Sequence, residues 1–173
     1  MPRIIENVRE QLLDEAKKQI MEKGYAKTTI RSVASACGLG IGTVYNYFSS
    51  KEMLIASVMG EDWQECLAWM DEQTSDRAED VLRRIYDSFS DFMQRYYALF
   101  QDGDASKVYA VTFSDRHKQL RAQIAKRVRT ICDHVMVKDK DFFAEWVAES
   151  LITWTVAGKS FDEQYEIIKH FIQ

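Results

Sequence analysis

Apolar residues recur at three- and four-residue spacing along almost the whole chain, the period of a helix that buries one face. Ile4, Ile5, Val8, Leu12, Ala16 and Ile20 form the first stripe and predict a helix over 3–22. Ile30, Val33, Ala34 and Cys37 predict a short second helix that stops at Gly38. Val44 and Phe48, four apart, mark the buried side of a third. Met53, Leu54, Val58, Trp63, Leu67 and Met70 predict a long helix from about 50 to 73. Thr74-Ser75-Asp76 breaks the pattern, and Asp76 with Glu79 has the spacing of a cap. A dense apolar stripe follows from Val81 through Ile85, Phe89 and Tyr96 to Phe100. Beyond the loop Gln101-Asp102-Gly103-Asp104, the pattern predicts helices at about 105–113, 115–136, 141–157 and 160–172. With one proline and seven glycines there is little material for β-turns. The fold class is therefore all-α with about nine helices, organised as a three-helix N-terminal domain (1–49) and a helical C-terminal domain (50–173).

Within this pattern, residues 28–52, TTIRSVASACGLGIGTVYNYFSSKE, differ from their surroundings. Two short helices are joined by a tight glycine-bearing turn, the layout of a helix-turn-helix, which places its second helix in a DNA groove. Thr28 and Thr29 are N-cap candidates for the first of the pair, Gly40 for the second, and Ser49 with Glu52 for the helix that follows. The outer face of the second helix carries Thr43, Tyr45, Asn46 and Tyr47 rather than the Glu, Lys and Ala of an ordinary solvated face. Hydroxyls and an amide can donate to phosphates and meet base edges. Gly42 removes a side chain where the backbone would approach DNA closely, and Arg31 and Lys51 flank the helix with positive charge. The candidate DNA-binding set is Thr28, Thr29, Arg31, Ile41, Gly42, Thr43, Tyr45, Asn46, Tyr47 and Lys51, with Asn46 the residue best suited to read a base edge.

The elements Gly24-Tyr25, Thr28-Thr29-Ile30, Val33-Ala34, Gly38, Gly42-Thr43-Val44-Tyr45, Tyr47-Phe48 and Ser50-Lys51-Glu52 resemble the N-terminal domain of the TetR family of bacterial one-component regulators. The resemblance covers about the first third of the chain. Gly40 departs from it, because the family often has Ser or Thr there as the recognition-helix cap. The resemblance implies a homodimer formed through the last two helices, double-stranded operator DNA as partner, and a body that holds a small apolar or aromatic inducer. On that footing Trp63, Phe89, Met93, Tyr96, Tyr109 and Phe113 are candidates to line the inducer site. Phe143, Trp146, Val147, Leu151, Trp154, Tyr165, Ile168 and Phe171 are candidates for the dimer interface, since the terminal helices are apolar on more than one stripe. An architectural DNA-binding protein without an inducer is the alternative.

The net charge of −4 is unusual for a DNA binder until the chain is divided. Residues 1–52 hold 8 Lys/Arg against 6 Asp/Glu, and 53–173 hold 15 against 21, so a mildly basic head sits on an acidic body. Cys37, Cys66 and Cys132 have no metal-binding spacing, and no cofactor or metal is expected. His117 lies in the polar run Ser114–Lys118 and reads as part of a solvated helix start. No H-E-x-x-H, G-x-S-x-G or P-loop occurs, so an enzyme is not expected. The N-terminus lacks the apolar core of a secretory signal, and no apolar run approaches the roughly 20 residues of a membrane span. A cytoplasmic protein without membrane partners is expected.

Overall fold

A computed structural model describes residues 7–72, 75, 77–135 and 137–172; the side chains at 104, 106–115 and 134 fall outside that description. Ile4, Ile5, Thr74 and Asp76 also lie outside it. The described residues are all-α: α1 Val8–Lys27, α2 Ile30–Ala36, α3 Ile41–Tyr45, α4 Lys51–Asp71, α5 Ala78–Arg95, α6 Tyr97–Gln101, α7 Gly103–Val128, α8 Lys140–Val156 and α9 Phe161–Ile168. Short 3-10 turns follow α7 and α9, and an isolated antiparallel bridge joins Val135 to Ile172. The chain divides into two compact units, 1–63 with 98–108, and 64–97 with 109–173.

In the first unit Val8, Leu12, Leu13 and Ala16 of α1 meet Ile30, Val33 and Ala34 of α2, Val44 of α3, Phe48, and Leu54 and Val58 of α4 in one core. Each large aliphatic or aromatic side chain sealed in this way stabilises by about 1.5–3 kcal/mol, so a few of them suffice to hold two very short helices. Two ion pairs reinforce the packing of α1 against α4, Arg9 with Glu61 on the surface and Lys17 with the buried carboxylate of Asp62. The second pair fixes register more than it adds stability, because desolvating Asp62 offsets much of the attraction.

In the second unit α5 packs on α8 and α9, which also pack on each other. Leu82, Ile85, Phe89, Val128, Phe143, Val147 and Leu151 are among its buried residues. Two arginines from elsewhere in the unit bond carbonyls near the end of α4. Arg84 Nε donates to Trp69 O (2.7 Å) with its guanidinium 4.2 Å over the Trp69 ring, and Arg127 donates to Leu67 O (3.1 Å) and to Asp71. The start of α9 is fixed by a capping box between Ser160 and Glu163, and Lys159 pairs with the same carboxylate.

Several boundaries differ from the sequence reading. The first helical stretch continues past residue 22 to Lys27 and absorbs a kink at Gly24, whose φ of 77° is accessible to glycine without strain. The expected helix from 76 to 100 breaks at Tyr96 (φ −102°, ψ 9°), which leaves Tyr97 exposed. The two helices expected at 105–113 and 115–136 are one, α7, because Ser114-Asp115 contains no residue that forces an interruption; the last part of that span is 3-10. The expected loop at 101–104 narrows to Asp102, whose carboxylate accepts from Ala105 N (3.0 Å). His117 is therefore mid-helix and half-buried; its Nε2 lies 2.9 Å from Glu149, which Arg121 also approaches at 3.6 Å. Burial pushes the Glu149 carboxyl up, but the hydrogen bond and charge of His117, with Thr153 and Arg121, outweigh this and hold it below its ordinary value.

The Glu163 carboxyl is lowered to about 2, first by Lys159 and then by the backbone and hydroxyl of Ser160. A depressed folded-state value means that its contribution is present above the ordinary value of 4.5 and disappears as pH falls toward 2. A side-chain NMR titration should place the Glu163 midpoint near 2, and Ser160→Ala should move it upward; a midpoint at the ordinary value in the unmodified protein would contradict the capping box.

Candidate nucleic-acid interface

The site is built by two caps, one turn and two anchors. Thr29 caps α2: its Oγ1 accepts from Ser32 N (3.0 Å), while Ser32 Oγ accepts from Thr29 N (3.0 Å). This reciprocal pair satisfies two amides that would otherwise lack helix partners. The turn to α3 runs through Gly38, whose φ of 67° suits a residue without a Cβ. Leu39 then packs against the core, and Gly40 caps α3 through its backbone alone. Val44 (0 % exposed) and Phe48 (4 %) anchor α3 from below. The opposite face turns outward: Ile41, Gly42, Tyr45, Asn46 and Tyr47 are exposed, Tyr45 by 53 % and Tyr47 by 48 %, and Thr43 is half-buried. An open groove joins this face to α2 and the start of α4, lined by Thr29, Ile30, Arg31, Tyr45, Ser49, Ser50, Lys51 and Glu52. Added at Gly42, a Cβ would meet nothing within 4 Å, so the fold itself does not require glycine there.

The structure separates the ten DNA-binding candidates. Thr29, Arg31, Ile41, Gly42, Tyr45, Asn46 and Tyr47 are exposed and Thr43 is half-buried; of these, Thr29, Arg31 and Tyr45 line the same groove. Thr28 does not join them: it is fully buried, and its hydroxyl donates to Gly24 O (2.9 Å), which closes the end of α1. The neighbouring hydroxyl at 29 takes the N-cap position because it alone faces the first turn of α2. Lys51 is half-buried and engaged within the protein; its ammonium lies 3.6 Å from the centre of the Tyr25 ring and donates to Tyr25 O. Tyr25 OH donates in turn to Glu52 (3.3 Å). The Glu52 carboxyl lies below its ordinary value, first through its own backbone N–H, then through Ser50, with Tyr25 a smaller influence. The cap of α4 is Ser50, which accepts from Met53 N (3.2 Å), rather than Ser49.

Sequence reasoning missed Ser32, although the Thr29–Ser32 spacing is that of a capping box. It also missed Gln19, a polar residue on an otherwise buried helix face. Burial raises both the Cys37 and Cys132 thiols above their ordinary value, with Glu15 adding to the effect at Cys37.

Of the inducer-site candidates, Trp63 is buried and belongs to the first unit; in the second, Phe89 and Tyr96 are buried and Met93 is half-buried. The Tyr109 and Phe113 side chains lie outside the described residues. Among the interface candidates, Phe143, Val147, Leu151 and Ile168 are buried within the chain, and Tyr165 is half-buried. Trp146 (40 % exposed), Trp154 and Phe171 remain outside, joined by Phe142 and Ile167. Trp146 and Phe171 meet edge to face at 5.8 Å.

A capped short helix, a glycine turn and a second short helix with its apolar side sunk and its polar side free define a helix-turn-helix protein of the all-α class. Residues 12–58 match the pattern of the bacterial regulatory proteins of the tetR family. The match spans α2 and α3 with the parts of α1 and α4 that pack on them. It is 31 % identical over 68 residues to the fatty acid metabolism regulator protein of Bacillus subtilis, a match that takes in 39 % of this chain and about a third (35 %) of that relative's length. Over 167 residues it is 25 % identical to the HTH-type transcriptional repressor KstR2 of Mycolicibacterium smegmatis, covering 95 % of this chain and 74 % of the relative. In fold it is similar to a transcriptional regulator from Cytophaga hutchinsonii, with a TM-score of 0.68 and 21 % identity over 91 % of this chain and 88 % of the other.

Replacing Lys51 by Ala removes a charge-assisted hydrogen bond and a cation–π contact from the α4 start. The expected loss is about 1–2 kcal/mol of stability. In urea unfolding, Lys51→Ala with Tyr25→Leu should lose less than the sum of the two single losses, because the ring–ammonium contact is shared while the bond to the carbonyl at 25 survives in Tyr25→Leu; strictly additive losses would separate the two side chains.

Proposed function

We propose that the protein is a sequence-specific DNA-binding transcriptional regulator of the repressor type, acting in the cytoplasm as a homodimer on a pseudo-palindromic operator and released by a small apolar or aromatic inducer. The observation that carries the DNA-binding part is the division of α3, with Val44 in the core and Ile41, Tyr45 and Asn46 exposed beside Thr29 and Arg31. Such a face offers hydroxyl and guanidinium donors for phosphates and one amide, Asn46, able to make paired bonds to adenine. Two such faces, about 34 Å apart, would meet successive major grooves.

The dimer rests on the exposed apolar residues Phe142, Trp146, Trp154, Ile167 and Phe171, an unusual concentration for one pair of terminal helices. The inducer rests on less, the aromatic stripe through Phe89 and Tyr96 and the family resemblance. A body that binds an inducer better in one arrangement than in another would lower the affinity for DNA by the same differential. The repressor direction rests on the likeness to a named repressor over nearly the whole chain.

The test is selection from a random double-stranded DNA library with the full chain. A recovered inverted repeat, bound by a species of twice the chain mass in sedimentation, is the expected result. Tyr45→Ala with Asn46→Ala should weaken retention by about a hundredfold at unchanged melting temperature, as expected for two lost groups at a groove. Recovery of no preferred sequence, or unchanged retention by the double variant, would sink the reading.

A further inference from the structure

Gln19 is 1 % exposed on α1, the most deeply buried polar side chain in the first unit after Thr28. Its amide is used at both ends. Nε2 donates to Glu15 Oε1 (2.7 Å), one turn earlier on the same helix. Oε1 accepts from the Ser32 hydroxyl (2.6 Å) on α2. A carboxylate can only accept, so Glu15 dictates which way the amide faces: nitrogen toward Glu15, oxygen toward α2. Ser32 is the same residue that accepts from Thr29 N and whose own N–H holds Thr29 Oγ1. The chain of bonds therefore runs from α1 to the exposed cap residue, Glu15 to Gln19 to Ser32 to Thr29.

The apolar contacts of Ile30, Val33 and Ala34 hold α2 on α1 but are non-directional. A helix of seven residues resting on such contacts can shift along its neighbour at small cost. The Gln19 amide adds a directional tie at the first turn of α2, where Thr29 and Arg31 emerge. It also leaves Thr29 with its oxygen occupied by Ser32 N–H and its hydroxyl proton available to an outside acceptor. We propose that Gln19 is a positioning residue for the DNA-reading face, acting through Ser32 on Thr29. This rests on the DNA-binding function proposed above.

Gln19→Leu separates positioning from folding. It keeps a side chain of similar size in the core and strands neither former partner: the Ser32 hydroxyl already lies 2.9 Å from Thr29 O, and Glu15 is only half-buried. Fluorescence anisotropy with the sequence that the unmodified chain selects provides the readout. Gln19→Leu should bind about fivefold more weakly, the factor expected for one net hydrogen bond, with its melting temperature unchanged within a few degrees. In a Ser32→Ala background the same substitution should cost nothing further. Unchanged affinity in Gln19→Leu, or losses that add with Ser32→Ala, would overturn the proposal while leaving the regulator reading intact. If Gln19→Leu fails to fold, Gln19→Met decides by the same readouts: weakened binding at unchanged melting temperature, with no further loss in the Ser32→Ala background, supports the proposal, and unchanged binding overturns it. An unmodified chain that selects no sequence removes the regulator reading and this proposal with it.

Discussion

Two side chains hold α3. α3 has five residues, about 7.5 Å of helix, far below the length at which a helix persists in water. Gly40 gives it no side-chain cap, and no acidic residue sits in its first turn. What keeps it helical is the burial of Val44 and Phe48 against α1, α2 and α4. The core of the first unit is therefore the scaffold of the exposed α3 face, and whatever loosens that core blurs the face above it. The reciprocal Thr29–Ser32 cap does for α2 what Val44 and Phe48 do for α3, with hydrogen bonds in place of apolar area.

Much of this was legible in the sequence because it is local. The spacing of Ile30, Val33 and Ala34, the stops at Gly38 and Gly40, and the pair Val44 and Phe48 are all decided within a few residues. The residues that escaped depend on partners far along the chain. Lys51 reads as an exposed cation until Tyr25, 26 residues earlier, is brought beneath it. Thr28 and Thr29 are indistinguishable in sequence, yet one closes α1 and the other opens α2. Gln19 is simply a polar residue out of place until Ser32 arrives against it. The terminal helices show the same dependence: periodicity marks Phe143 and Trp146 alike as apolar, and only packing reveals that one is buried within the chain and the other is not.

In the second unit, polar groups close the ends of helices and apolar groups fill between them. Arg84 and Arg127 bond carbonyls near the end of α4, Asp139 caps α8 through Phe142 N, and Tyr86 OH reaches Lys159 O at the corner between α8 and α9. Arg83 lies 4.1 Å over the Phe161 ring and bonds Asp162, so the first turn of α9 is held from α5 by stacking and charge together. These ties make the bundle specific where aromatic packing alone would permit several arrangements.

The open space around Gly42 has a consequence for how such a protein changes over generations. Because a side chain there would meet nothing of the protein, and because Tyr45 and Asn46 are exposed, mutations at these positions disturb folding far less than mutations at Val44 or Phe48. Selection on stability and selection on the outer face act on different letters of the same short segment. A duplicated copy could drift toward a new address without passing through unfolded intermediates.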